Sequence, residues 1–200
     1  MRALLLALPL TLLLGTAGAV AANLRGCTAE QAEVIRAALD EAEARTRRGL
    51  ELVIREPDHY LVHRWFGTAP RAQVRSVLER LVGGLEPGRR PPVDCSTGRS
   101  CRGGSTFAFA GVVTRRIGVC PRFFDSPATV GRDNRFGVLV HEVSHVVART
   151  IDAAYGPVRT VELARLHPRV AAKNADNVEY FIEGVPEPLV SKGTAPAPAR

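Results

Sequence analysis

The segment from Arg135 to Arg149 constrains the fold of this chain more than any other. Its apolar side chains recur at helical spacing: Phe136, Val138, Leu139, Val140, Val143, Val146 and Val147. This pattern predicts a buried helix. Within it lie His141, Glu142 and His145. Two imidazoles and a carboxylate are costly to bury unless they coordinate something, and a pair of hydrogen-bonded core histidines would leave Glu142 unexplained.

These three residues form an HExxH motif. Residues four apart lie one turn from each other on one face of a helix, so both imidazoles can reach the same metal ion. Glu142 projects beside them, toward a water molecule on the metal. A catalytic zinc site has three protein ligands and one open position. We therefore expect one Zn²⁺ per chain, held by His141, His145 and a third ligand farther along the chain.

A second motif follows the histidines. Residues 149–156 read RTIDAAYG, which resembles the GTxDxxYG signature of the aspzincins, the deuterolysin-like zinc metallopeptidases. The resemblance implies that Asp152 is the third zinc ligand and that Tyr155 donates a hydrogen bond to the oxyanion of the reaction. A turn carboxylate and simple packing are the alternatives for these two residues. Arg149 stands where the signature has glycine, and only six residues separate His145 from Asp152.

A third motif resembles one branch of the same family. Residues 174–181 read NADNVEYF, similar to the NADNxxYF helix of the lysine-specific peptidyl-Lys metalloendopeptidases. The resemblance implies a zincin-like α+β fold, and a pocket in which Asp176 and Glu179 bind a lysine on the amine side of the cut. From the residues alone, the two carboxylates share one face of a predicted helix and would favour a cationic side chain. A solvated or capping pair is the alternative.

The first 22 residues have the layout of a secretory signal peptide. One charge, Arg2, precedes an apolar run over 3–14, and small residues precede position 23. This segment is too short for a membrane anchor, and we expect its removal. The sequence thus predicts a water-soluble, secreted or periplasmic chain with one domain over 23–185 and a disordered, Pro- and Ala-containing tail over 186–200.

Four cysteines lie in the exported chain: Cys27, Cys95, Cys101 and Cys120. In an oxidising compartment they indicate two disulfides, with three pairings possible. Spacing favours Cys27 with Cys95 and Cys101 with Cys120, because the second pair brackets two short β-like runs, 106–113 and 115–119, that can form a hairpin. Lipidation of Cys27 is a weaker alternative.

Local signals predict the first two helices. Thr28 and Gln31 form a capping box that begins a helix ending near Arg48. A second helix begins near Pro70 and ends at the glycine pair 83–84.

A last helical stretch is expected over 158–183, with a break at Pro168. His59 and His63 are also four apart, but their stretch alternates like a strand and lacks an intervening glutamate, so we interpret them as structural. Together the elements predict a mainly helical α+β domain with a small disulfide-bracketed hairpin or sheet.

The charge of the chain gives little support to a nucleic-acid partner. The formal net charge is +7, from 27 basic and 20 acidic residues. The basic residues are scattered, and no aromatic residues are interleaved with them as a stacking surface requires. Only Lys173 and Lys192 are lysine. Such scarcity would protect a lysine-specific peptidase from cutting itself, although codon bias explains it equally well.

The function that these patterns favour is a secreted zinc endopeptidase that acts as a monomer on protein or peptide substrates. Neither a nucleic acid nor, after removal of the signal, a membrane is an expected partner. The alternative is a secreted zincin-fold binding or effector module without peptidase activity. An adhesion or inhibitor domain held by disulfides would leave the metal-spaced histidines unexplained.

Overall fold

The computed structural model describes residues 23–95 and 98–186. The predicted signal peptide (1–22) and all but the first residue of the predicted tail (186–200) lie outside the described residues. The helices are α1 (Ala29–Arg55), α2 (Tyr60–Phe66), α3 (Arg71–Leu85), α4 (Pro121–Asp125), α5 (Arg135–Ala148), α6 (Pro157–Leu166), α7 (Pro168–Ala171) and α8 (Ala175–Gly184). The strands are β1 (Leu24–Arg25), β2 (Val93–Asp94), β3 (Ala108–Gly111) and β4 (Arg116–Val119).

Helix α5 lies at the centre of the molecule. It contacts α1, α3 and α8, and β3 and β4 of the sheet pack against it as well. Within α5, every residue except Arg135 and Val147 is buried, and the side chain of Asn134 caps its first turn by accepting from the Gly137 N–H. The mainly helical α+β prediction is confirmed. No helix in the described ranges is both long and apolar enough to cross a bilayer.

The sheet has four strands in the order β1-β2-β4-β3. The three strands from β1 to β4 pair in parallel, and β3 pairs antiparallel with β4 as the predicted hairpin. Disulfide Cys27–Cys95 follows the paired ends of β1 and β2, and Cys101–Cys120 joins the segment before β3 to the end of β4. Both agree with the pairing that the spacing favours. Strand β3 lies at the sheet edge nearest to α5.

Helix α1 begins where the sequence predicts and ends later. Thr28 and Gln31 make both hydrogen bonds of the capping box. The helix continues beyond Arg48 to Arg55, because the turn that follows still buries Val53 in the core.

The strand-like interpretation of the segment around His59 and His63 is wrong. Residues 60–66 form α2, whose buried residues recur at helical spacing and are Leu61, Val62, Trp65 and Phe66. His59 is the N-cap, and its Nδ1 accepts a hydrogen bond from the Leu61 N–H. The strand-like alternation of residues around His59 and His63 arose by chance, because the segment is too short to show the helical repeat clearly.

The predicted end of the second helix is also wrong, because α3 continues through Gly83 and Gly84 to Leu85. A Cβ atom at Gly84 would lie 2.5 to 2.9 Å from three side-chain atoms of Val147 on α5. The glycine therefore permits close approach of two helices and does not end one. At Gly83 a Cβ atom would meet nothing within 4 Å.

The last helical stretch breaks twice. One break is at Pro168, as predicted, and the other falls between Ala171 and Ala175. At the second break the chain leaves the helix so that Asn174 can form a parallel bridge with Ile151.

The glycine pair provides a test of the packing between α3 and α5. We expect Gly84→Ala to lower the free energy of unfolding by about 1–3 kcal/mol through overpacking against Val147. Gly83→Ala is the matched control and should raise it by about 0.5–1 kcal/mol, because alanine favours a helix and has room there. Urea denaturation of both variants measures the difference. Equal stabilisation by both alanines would contradict the close approach.

Candidate metal centre

Three donor atoms converge at the end of α5. The Nε2 atoms of His141 and His145 each lie 3.2 Å from Oδ1 of Asp152. Two ligands of a tetrahedral zinc ion, each about 2.0–2.1 Å from the metal, are separated by about 3.3 Å. The nitrogen and oxygen donors are of the type that zinc prefers, so these residues fit a zinc ion.

The other ring nitrogen of each histidine is held by an acceptor. His145 Nδ1 lies 2.9 Å from the carbonyl oxygen of Thr150. His141 Nδ1 lies 3.0 Å from both Asp176 Oδ1 and Glu179 Oε2. A proton on Nδ1 that is donated in this way leaves Nε2 with its lone pair free for a metal. When a metal ion replaces the proton on Nε2, these contacts hold each imidazole in the tautomer that a metal site requires.

Arg149 makes the turn that directs the chain toward Asp152. It has φ 56° and ψ 44°, the left-handed conformation that ends many helices, and its N–H donates to the Ser144 carbonyl. Arginine therefore adopts the conformation for which glycine is favoured. The six-residue spacing and the missing glycine do not prevent Asp152 from reaching the histidines.

The loop that carries Asp152 is fastened to the start of α8. Ile151 N–H donates to the Lys173 carbonyl at 2.8 Å, and the Ile151 carbonyl accepts from Ala175 at 3.0 Å. The buried side chain of Asn174 then clamps the next two residues. Its Oδ1 accepts from the N–H groups of Ala153 and Ala154, at 2.7 and 3.1 Å, and its Nδ2 donates to the Ala154 carbonyl.

A second asparagine supports the first. Asn177 Oδ1 accepts from Asn174 Nδ2 at 2.9 Å. Its own Nδ2 donates to the carbonyl oxygens of Trp65 and Thr160, at 2.6 and 2.9 Å. The position of Asp152 is thereby linked to α2 and α6.

Glu142 and Tyr155 stand beside the donor atoms in an open cavity of about 370 Å³. Glu142 accepts a hydrogen bond from the backbone N–H of Ala110 on β3, and the Tyr155 hydroxyl is hydrogen bonded to Asp152. The side chain of Glu142 is buried, whereas Tyr155 is 58% exposed at the cavity mouth. A carboxylate and a phenol thus face the same space as the three donors.

The ionisation of these groups reflects burial and mutual charge. Burial raises the pKa of Glu142 to about 7, against the opposing charge of His141. Burial also disfavours the ionised form of Asp152, but the hydrogen bond from His141 and the charges of both imidazoles outweigh it and lower the pKa to about 2. Burial and the bond to Asp152 raise the pKa of Tyr155 to about 12. The centre is rich in negative charge, which favours a cation.

Asp176 and Glu179 line the same cavity and are 5% and 4% exposed. A solvated pair is therefore excluded. Both touch His141, as described above. The second oxygen of Asp176 accepts from the Gly156 N–H at 2.7 Å, whereas Oε1 of Glu179 is buried with no hydrogen-bond partner among the described residues.

Comparison with known proteins identifies the family. The family model described as lysine-specific metallo-endopeptidase, Aspzincin_M35, matches residues 54–183. The chain belongs to the aspzincin family. The prediction of the family from its two motifs is confirmed.

Two relatives resemble this chain over most of its length. It is 30% identical over 170 residues to a peptidyl-Lys metalloendopeptidase of Pleurotus ostreatus, covering 80% of this chain and 96% of the relative. It is 32% identical over 170 residues to an extracellular protease of Aeromonas hydrophila, covering 80% of this chain but 46% of that protein. The chain thus spans less than half the length of the Aeromonas relative.

The fold agrees with a solved structure. A zinc peptidase from Grifola frondosa superposes with a TM-score of 0.69 at 28% identity, covering 78% of this chain and 96% of that one. The zincin-like architecture predicted for this aspzincin is therefore confirmed.

Sequence reasoning assigned no role to several residues that build the site. Asn174 precedes a helix, where an asparagine is expected to cap the first turn. Its side chain makes no such cap and binds the loop after Asp152 instead. Ala110 and Gly156 contribute only their backbone N–H groups, which nearly every residue type has, so the sequence gives no indication of their role. The NADN motif was the one available indication of Asn174.

The left-handed turn of this aspzincin can be tested by substitution. Arg149→Gly should raise the free energy of unfolding by about 1 kcal/mol, because glycine adopts positive φ without the steric cost of a Cβ atom. Arg149→Ala is the control, since it removes the long side chain and keeps the Cβ atom. Thermal unfolding of the metal-free proteins compares them. If Arg149→Ala stabilises as much as Arg149→Gly, backbone strain is not the cause.

Proposed function

We propose that this aspzincin is a secreted zinc endopeptidase in which His141, His145 and Asp152 hold the ion. The observation that carries the proposal is the pair of 3.2 Å separations between the imidazole nitrogens and one carboxylate oxygen, beside a glutamate in an open cavity. Export rests on the layout of residues 1–22, and the name of the Aeromonas relative agrees with it.

The chemistry that the zinc supplies when bound is Lewis acidity toward a peptide carbonyl and toward water. The chain's own residues move the proton. Glu142 takes a proton from the attacking water and passes it to the nitrogen of the leaving amine. Its hydrogen bond from the Ala110 N–H keeps the carboxylate oriented into the cavity. The Tyr155 hydroxyl donates to the oxyanion that forms on the substrate carbonyl.

The sheet edge supports a polypeptide substrate. Strand β3 is the last strand in the sheet order, so one of its edges has no neighbouring strand among the described residues. Phe107 and Ala108, at the start of this strand, line the cavity that contains Glu142. An extended peptide can pair with such an edge and present one bond to the site.

The cavity also supports a preference for lysine after the cut bond. Asp176 and Glu179 supply negative charge on its wall, and Phe107, Val138 and Tyr180 supply surface for an aliphatic stem. The family description and the name of the Pleurotus relative agree with this preference.

The alternative of a zincin-fold module without activity loses its main argument. It rested on Arg149 and on the short turn before Asp152, and both are accommodated by the left-handed conformation at Arg149. Glu142 and Tyr155 line the same cavity as His141, which supports an active enzyme.

Catalysis by Glu142 predicts a separation of metal binding from activity. Glu142→Gln should keep one zinc per chain, because Glu142 is not a ligand, and should lose casein hydrolysis by about 10²- to 10⁴-fold. Elemental analysis and a turnover assay measure the two properties. A chelator should abolish the wild-type activity, and added zinc should restore it. Zinc bound by the wild type without any cleavage would favour the inactive module.

The proposed specificity predicts the ends of the products. New N-termini from a digested, denatured protein should begin with lysine, and mass spectrometry of the peptides identifies them. The same protein with acetylated lysines is the control and should resist cleavage, because acetylation removes the charge that the acidic cavity binds. Products that begin with other residues at equal frequency would refute the preference.

A further inference from the structure

A second cavity lies directly beside the first cavity, the one that contains Glu142 and Tyr155. It has a volume of about 300 Å³ and is formed by α2, the end of α8 and the loop before α5. Its lining includes two arginines, Arg64 on α2 and Arg132 in the loop. Neither arginine has a role in the metal centre or in the steps proposed for catalysis.

The two cavities share a wall. Tyr180 lines both of them, whereas Asp133 lines the first and its neighbour Arg132 lines the second. The Tyr180 hydroxyl lies 3.4 Å from Oδ1 of Asp133, so these two side chains form the wall together. Consecutive Cα atoms of a peptide are 3.8 Å apart. A substrate with one side chain in the first cavity therefore brings its next residues close to the second.

The arginines of the second cavity have unused charge. Both side chains are exposed, and neither makes a salt bridge with any part of the chain that the structure describes. The guanidinium carbon of Arg64 lies 5.1 Å from the ring centroid of Trp65, which also lines the cavity. This stacking restricts the guanidinium, so less conformational entropy is lost when it binds an anion.

The carboxyl group of Glu183, in the same lining, does not offset this charge at neutral pH. Burial, with the charge of Glu179 as the second cause, raises the pKa of Glu183 to about 9, so the group is protonated at pH 7. Its Oε1 accepts a hydrogen bond from the Asn134 N–H at 3.1 Å. A cationic cavity therefore lies next to a cavity lined by carboxylates.

We propose that the second cavity binds an acidic side chain of the substrate, located one to three residues after the residue held in the first cavity. This inference rests on the proposed function. Arg64 and Arg132 approach the cavity from two different elements, and a carboxylate can accept charge-assisted hydrogen bonds from either. A basic side chain would be repelled by both, and a neutral one would gain no ion pair.

The experiment compares peptides that differ by one residue. Each peptide has a single lysine, and Asp or Asn follows it at the first, second or third position. The preference is the ratio of kcat/KM for the Asp and Asn peptides. At one position or more the wild type should favour Asp about 3- to 10-fold at low salt. Salt at about 0.5 M should reduce the ratio, because it screens exposed charges.

The preference should lie in KM and not in kcat. The second cavity contacts no reacting atom, so it binds the substrate and the transition state equally. A change in the geometry of the metal centre would instead alter kcat.

Substitution of the arginines tests their role. Arg64→Gln and Arg132→Gln should each lower the ratio, and the double variant should bring it to about 1. Arg80→Gln is the matched control, because Arg80 is an exposed arginine of α3 that lines neither cavity. It removes the same charge and should leave the ratio unchanged.

Reversal of the charge separates binding from a merely structural effect. Arg132→Glu should favour a peptide with arginine at the preferred position over the peptide with Asp there. A loss of local structure would weaken the preference without inverting it.

The proposal is overturned if the wild type cleaves the Asp and Asn peptides equally at all three positions, or if the double variant keeps the wild-type ratio. Failure of the proposed function has a different signature, which is wild-type protein that holds zinc and cleaves none of the peptides. Fluorescence anisotropy of labelled peptides would then test the second cavity by binding alone. Tighter binding of an Asp peptide would support the proposal, and equal affinities would overturn it.

Discussion

The structure depends on the burial of two imidazoles and several carboxylates inside one helix-bounded site. Unpaired charges in such a place are strongly unfavourable, so each polar atom needs a partner of opposite character. The chain provides partners for the ring nitrogens of both histidines from the turn that follows α5 and from α8, which is distant in sequence. Thr150, Asp176 and Glu179 all contact the ring nitrogens of the two histidines that face away from Asp152. The fold around α5 is arranged to bring these groups together.

Local signals predicted the elements whose ends depend on nearby residues. The capping box of Thr28 and Gln31 is an interaction within one turn, and it lies where the sequence indicates. The errors arose where a distant contact decides the outcome. Gly84 stays helical because it packs against Val147, and α2 forms because its apolar face meets α6 and α8. Neither contact can be read from the surrounding residues.

The site residues also fall into two groups, those that local patterns predict and those that depend on distant contacts. The spacing of His141, Glu142 and His145 follows from helical geometry, so the motif alone brings them to one face. The roles of Asp152 and Tyr155 were predicted from a resemblance to a family motif. No local rule predicts that a residue in the loop after a helix folds back against that helix. The role of Asn174 was not predicted, because its side chain does not cap α8 and binds the loop after Asp152 instead. Tertiary hydrogen bonds, unlike periodicity, leave little pattern in a single sequence.

The proposed lysine preference is connected to the metal through shared charge. Four carboxyl groups, those of Glu142, Asp152, Asp176 and Glu179, lie around the two imidazoles and concentrate negative charge at the site. A neutral side chain that enters the cavity would displace water from the carboxylates without forming an ion pair in its place. An ammonium group replaces the lost water with an ion pair. Discrimination would then arise as much from the cost of desolvating the carboxylates for a wrong side chain as from attraction to the right one.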